Sequence, residues 1–129
     1  MAIEVSWLLE DRVILAEISG VVSQEDLPSY DAAVQQHLNA STGPTVHLVV
    51  DQTRSESKFD TRLMAGLRFP RHPKLGWMIP LGATAPGAKA VGKLAAQSLH
   101  VSVHNAGTRD EALDFLQRAD ATLPLEWQP

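Results

Sequence analysis

Thr61 carries the most distinctive chemistry in this 129-residue chain. It follows Phe59 and Asp60 and precedes Leu63, Met64 and Leu67, so it stands at the expected mouth of a helix, with Asp60 or Thr61 as the cap. A phosphate on such a hydroxyl would meet free backbone N–H groups and the positive end of the helix dipole. It would add about −1.5 to −2 charges, enough to reverse a local surface. The other reading of the same placement is a plain cap, worth ~1 kcal/mol. Ser55 and Ser57, in the polar run Gln52 to Lys58, are second candidates for modification. Asp51 and Thr53, at the end of the preceding strand, complete a candidate binding set of Asp51, Thr53, Ser55, Ser57, Asp60 and Thr61. Arg62, Arg68, Arg71 and Lys74 follow as candidate anion contacts, and Lys89 and Lys93 could add to them.

The five histidines point away from metal binding and acid–base catalysis. His100 and His104 are four apart, but their surroundings read as a strand, where four residues span about 13 Å at ~3.3 Å each. His37 and His47 have no acid–base partner close in sequence, and His72 lies in a proline-punctuated loop. No HExxH, nucleophile elbow or dinucleotide fingerprint occurs. Gly82 to Gly87 has the glycine spacing of a phosphate-binding loop, but Ala88 stands where the lysine belongs. There is no cysteine, hence no thiol nucleophile and no thiolate metal site. The expectation is a protein that is not an enzyme and holds no cofactor or metal.

Charge is segregated along the chain. Residues 1–51 carry one base and eight acids, residues 54–93 eight bases and two acids, and residues 94–129 two bases and five acids. The basic middle could attract an anion, an anionic lipid surface or an acidic protein patch. The net charge of −4 and seven aromatic residues argue against a dedicated nucleic-acid binder. Apolar content of 44% and charge of 20% are ordinary globular values and exclude disorder. No apolar run approaches the ~20 residues of a membrane helix, and polar residues begin at Glu4, without a signal-peptide core. A single cytoplasmic domain over 1–129 is expected, with 121–129 as an apolar tail that folds back or packs on a partner, a homodimer among the options.

The elements that must position these residues follow from periodicity. Ile3 to Leu9 and Val13 to Ile18 read as a hairpin turning at Glu10-Asp11. A helix starting between Ser23 and Asp26 buries Leu27, Tyr30, Val34 and Leu38. Thr45 to Val50 is a short, β-branched and nearly continuously apolar run, expected to be a central strand closed by Asp51. Leu75 to Ile79 is the fourth strand, with Pro80 expected at its end or on an unpaired edge. Ala88 to Ser98 is a helix and Val101 to His104 a fifth strand. Thr108-Arg-Asp-Glu111 is a capping box opening the last helix, whose apolar face includes Ala112, Leu113 and Leu116. The order β-β-α-β-α-β-α-β-α specifies an α/β fold with a mixed central sheet and helices packed against it.

This pattern resembles the STAS domain, the fold of anti-sigma-factor antagonists, and its SpoIIAA-like branch. The likeness rests on Asp51-Gln-Thr53, Phe59-Asp-Thr61, the small turn Gly82-Ala-Thr-Ala-Pro86, Leu99 before the fifth strand and the threonine-led helix Thr108 to Leu113. The loop between Asp51 and Asp60 is one residue longer than usual, and Thr61-Arg62-Leu63 stands where the family has Ser-Ser-Gly. The resemblance implies a regulatory domain that binds a protein partner through the loop and helix after the third strand, with Thr61 in the phosphoacceptor place. A small-molecule or lipid carrier, with an apolar pocket between the second helix and the sheet, is the alternative.

Overall fold

The computed structural model describes residues 3–20, 25–43, 45–55, 67–81 and 102–123. Five strands form one sheet in the order β1 (Ile3–Leu9), β2 (Val13–Gly20), β3 (Val46–Ser55), β4 (Leu75–Leu81) and β5 (Ser102–Val103). The β1–β2 pair is antiparallel and every later pair is parallel. The hairpin turns at Asp11, whose φ of 71° is left-handed, a conformation aspartate tolerates better than most residues. Thr42 fixes it, donating N–H and Oγ1–H to the Asp11 carboxylate at 3.0 and 2.6 Å.

Period-2 alternation in β2 and β3 sends side chains to two separate cores. Ile14, Ala16 and Ile18 with Val46, Leu48 and Val50 face helix α1 (Asp26–Ala40), which contributes Tyr30, Val34 and Leu38. Val13, Leu15, Val49, Ile79 and Leu81 face helix α2 (Arg109–Ala119), which contributes Ala112 and Leu116. A sheet covered on both faces is why Val46 to Val50 is apolar at every position but His47. Leu123 is 3% exposed in the α2 core, so the first large apolar residue of the tail folds back. Residues 124–129, including Trp127, lie outside the described residues.

Both helices begin near where sequence places them. At α2 the cap forms in full. Thr108 Oγ1 accepts from Glu111 N at 3.2 Å, and Glu111 reaches back to accept from Gly107 N at 2.9 Å.

Two strand ends differ from expectation. β3 runs past Asp51 to Ser55, so Gln52 to Ser55 extend a ladder rather than open a loop. The cause is β2, whose Ser19 and Gly20 pair with Arg54 and Ser55 beyond a register shift. Pro80 lies inside β4, in register with Val50, neither at the end nor on an outer edge. Its carbonyl accepts from Ala106 N at 3.2 Å. In a strand the N and C=O of one residue point the same way, so its missing N–H faces β5, where the ladder is only two residues long. The helices expected from Thr61 and over Ala88 to Ser98 lie outside the described residues.

Candidate functional site

Asp51 sits near the carboxyl end of β3, the end of a parallel sheet where ligand-contacting groups gather. Register places Glu4, Glu17 and Asp51 side by side on β1, β2 and β3, all on the α2 face. Like charges directly across strands repel. Arg109, the first residue of α2, offsets this. Its guanidinium donates to Asp51 Oδ2 at 3.0 and 3.2 Å and lies 3.5 Å from Glu17. Thr53 closes the other side, its N–H and Oγ1–H donating to Asp51 Oδ1 at 3.1 and 2.7 Å. Burial works to raise the Asp51 carboxyl, but the bonds from Thr53 and Arg109 outweigh it and hold it below its ordinary value. The result is a charged rim in which Thr53 and Arg54 are exposed and Glu17 and Arg109 about two-fifths so.

Of the other candidates, Ser55 ends β3, and Ser57, Asp60, Thr61 and Arg62 lie outside the described residues. The described basic candidates, Arg68, Arg71 and Lys74, are not gathered on the Asp51 rim. Arg68 caps the 3₁₀ turn Phe69–Arg71, whose last residue is Arg71, and both arginines are exposed. Lys74 precedes β4 at the far end of the sheet, its carbonyl accepting from Val46 N at the start of β3. Asp51 lies five residues up that strand, about 16 Å away at ~3.3 Å per residue. The Lys74 ammonium is engaged by the Ser41 carbonyl. Lys74 therefore closes the α1–β3 connection.

The turn carrying Arg68 is held from within. Asp31 of α1, buried, accepts from Arg68 N and Phe69 N at 2.9 and 2.8 Å, while Gln35 donates to its other oxygen at 3.0 Å. Two backbone donors that would otherwise be orphaned are satisfied by one carboxylate.

A second polar cluster lies at the amino end of β3. His47 is 2% exposed. Its Nδ1 accepts from Trp77 N at 2.9 Å and its Nε2 meets Asp120 Oδ2 at 2.8 Å, so the ring proton sits on Nε2 and donates. Arg12 donates to the same carboxylate oxygen at 3.3 Å, and Thr122 donates to the other from N–H and Oγ1–H. Burial lowers the His47 pKa, against the pull of Asp120. Burial also acts to raise Asp120, but the bonds from Thr122 and His47 win and bring it to about 2. Gly76 leaves room for the ring, since a Cβ there would lie 2.6 Å from Nδ1. His47 resembles a catalytic His–Asp pair, yet both nitrogens are committed, so it has no free lone pair for a substrate proton.

The remaining described histidines each have a local contact. His37 donates from Nδ1 to Ala33 O at 2.7 Å, His72 pairs with Asn39 and Lys74 N, and His104 stacks on Phe115 at 3.7 Å. Among the described residues no three metal-ligating side chains converge, and no helix is long and apolar enough to cross a membrane. The expected pocket beside the second helix lies outside the described residues. A cleft of about 490 Å³ opens instead between β1 and α1.

Glu4, Glu17, Arg109 and the His47–Asp120 pair are not legible as site residues. Each depends on strand register or on a contact between residues 58 or 73 positions apart, and no local pattern carries that.

Comparison with known proteins places this architecture. No family model matches the chain, and no curated protein does. The anti-sigma factor antagonist SpoIIAA, in its unphosphorylated form, is similar in structure with a TM-score of 0.61 at 14% identity, over 91% of this chain and 97% of that one. An uncharacterised DUF3478-family protein with a SpoIIAA-like fold, from Shewanella loihica PV-4, is similar with a TM-score of 0.66 at 15% identity, over 89% and 92%. The chain has a divergent STAS-like, SpoIIAA-like fold.

Proposed function

We propose that this protein is a non-enzymatic regulatory domain that binds a protein partner through the carboxyl end of β3 and the segment that follows. The observation that carries the reading is the Asp51 rim. Arg109 and Thr53 fix its carboxylate, while Thr53 and Arg54 stay exposed at the strand end beside it. Among the described residues this rim offers directional charge and hydrogen bonding and no enclosed cavity, which suits a protein surface better than a small substrate. The fold supports the same reading, since the similar SpoIIAA is described as an antagonist of an anti-sigma factor, itself a protein. The committed nitrogens of His47 weigh against acid–base catalysis.

Thr61, six residues after the end of β3, is the proposed switch, with phosphorylation reversing the charge next to Arg62. The test is affinity capture with wild type, Thr53→Arg, Arg54→Glu and Thr61→Glu as baits of equal circular dichroism. Loss of a wild-type partner by tenfold or more with the strand-end variants is expected. Identical captures by all four baits would sink the reading, and identical capture by Thr61→Glu alone would remove the switch.

A further inference from the structure

β1 is an outer strand of the sheet, and the direction of its backbone groups follows from its neighbours. His47 N donates to Arg12 O, so even-numbered residues of β2 turn their backbone groups toward β3 and odd-numbered ones toward β1. Register pairs Glu17 with Glu4 and Leu15 with Ser6. The backbone groups of Glu4 and Ser6 are therefore spent on β2, and those of Ile3, Val5 and Trp7 point outward. Among the described residues no strand pairs with them. Outer strands are commonly blunted by lysine, proline, bulges or brevity. Ile3 to Trp7 contains neither lysine nor proline, and the bulge lies beyond, between Trp7 and Leu9. The opposite outer strand, β5, is two residues long.

The two faces beside this edge differ. On the α1 face, the cleft between β1 and α1 has Ile3, Val5, Tyr30 and Ala33 as its apolar lining, with Glu4, Ser6, Asp26 and Ser29 as its polar one. On the α2 face, Glu4 heads the acidic row with Glu17 and Asp51. Arg109 serves the other two acids, while no described cation pairs with Glu4. Neither β1 nor α1 contains a lysine or arginine.

We propose that the free edge of β1 receives an extended, cationic segment of a partner protein as a sixth strand. Backbone hydrogen bonds to Ile3, Val5 and Trp7 hold it, and alternate side chains divide between the faces. Apolar ones lie over the α1 cleft, and a lysine or arginine opposite Glu4 completes the charge row. The fitting segment thus alternates apolar and basic residues. A second copy of this chain fits less well, because it would bring an equally acidic β1–α1 flank against this one. Glu4 shares its charge row with the Asp51 rim, but the outward backbone groups of β1 lie two strands from β3, so Val5→Pro and the Thr53 and Arg54 variants report independently.

The probe is a capped peptide of alternating lysine and valine, with its glutamate–valine counterpart as control. Binding is followed by fluorescence anisotropy and by amide hydrogen exchange on the full chain. At low salt the lysine peptide should bind at least tenfold more tightly than the control and should protect the amides of Ile3, Val5 and Trp7. Glu4→Lys should weaken binding about tenfold, and Val5→Pro, which removes one outward N–H from an outer strand, should abolish it. Proline there is compatible with folding, and Glu4→Lys changes an exposed side chain, so one variant stands if the other misfolds. The proposal is overturned by equal affinity for both peptides, by protection elsewhere, or by Glu4→Lys binding like wild type. A wild-type dimer in sedimentation that Val5→Pro dissociates would assign the edge to a second copy and also overturn it.

Discussion

Asp120→Ala is the perturbation whose consequences the structure specifies most fully. The carboxylate accepts from His47 at 2.8 Å, Arg12 at 3.3 Å, and Thr122 twice, at 2.9 and 2.6 Å. Arg12 keeps other acceptors in the Thr45 and Thr122 carbonyls, and Thr122 is exposed to water. His47 has no alternative, because its other nitrogen is held by Trp77 N–H. An abandoned buried donor costs about 1–3 kcal/mol. The electrostatic side gives a similar figure. Asp120 moves from 3.8 to about 2, with only 14% of its side chain exposed. At about 1.4 kcal/mol per unit this is roughly 2 kcal/mol. The two figures describe overlapping losses, so a total of about 2–3 kcal/mol is expected. In urea, with m of about 1–3 kcal/mol/M, the midpoint falls by about 1–2 M.

The pH dependence has a definite sign. A carboxyl depressed on folding contributes stability that is complete above its unfolded value and lost as pH falls through the folded one. The carboxyl's own contribution to the gap between wild type and Asp120→Ala should therefore be complete above about pH 5 and be lost toward pH 2. His47 works in the same direction over a higher range. Its pKa is lowered on folding, so below 6.5 the unfolded chain takes up a proton that the folded ring resists. Wild type should begin to weaken there, before Asp120 titrates. Urea unfolding at several pH values between 7 and 2.5 measures both effects. A variant within about 0.5 kcal/mol of wild type at pH 7, or a gap equal at pH 7 and pH 2.5, would refute the reasoning, since surface substitutions lie in that range.

Three other substitutions test separate parts of the frame. Gly76→Ala places a Cβ 2.6 Å from both the His47 ring and Thr45 Cγ2, and should cost about 1–3 kcal/mol by overpacking, read by thermal or urea unfolding. Asp31→Ala strips the acceptor from the Arg68 and Phe69 amides; a loss of about 1–3 kcal/mol with faster hydrogen exchange at Phe69 is expected. Arg109→Ala should let the Asp51 carboxyl rise toward its ordinary value in an NMR titration. Because Arg109 is two-fifths exposed, its cost in stability should stay within ~1 kcal/mol.

What the sequence determined by itself was local. The alternation of Ile3 to Leu9, the β-branched run of Val46 to Val50 and the capping box of Thr108 and Glu111 each act over a few residues, and each appears where its pattern places it. Together with the order of elements they specify the α/β architecture. Tertiary structure decided the rest. Gln52 to Ser55 are polar and read as a loop, yet they are strand because the end of β2 lies alongside to pair with them. Pro80 is tolerated inside β4 because its missing donor faces a two-residue neighbour. His47 finds its acid 73 residues away, and Asp51 its arginine 58 residues away. Strand register also turns Glu4, Glu17 and Asp51 from three scattered acids into one row. Periodicity reports which face a side chain takes, whereas charge chemistry depends on which side chains share that face. That second fact exists only once the strands have paired.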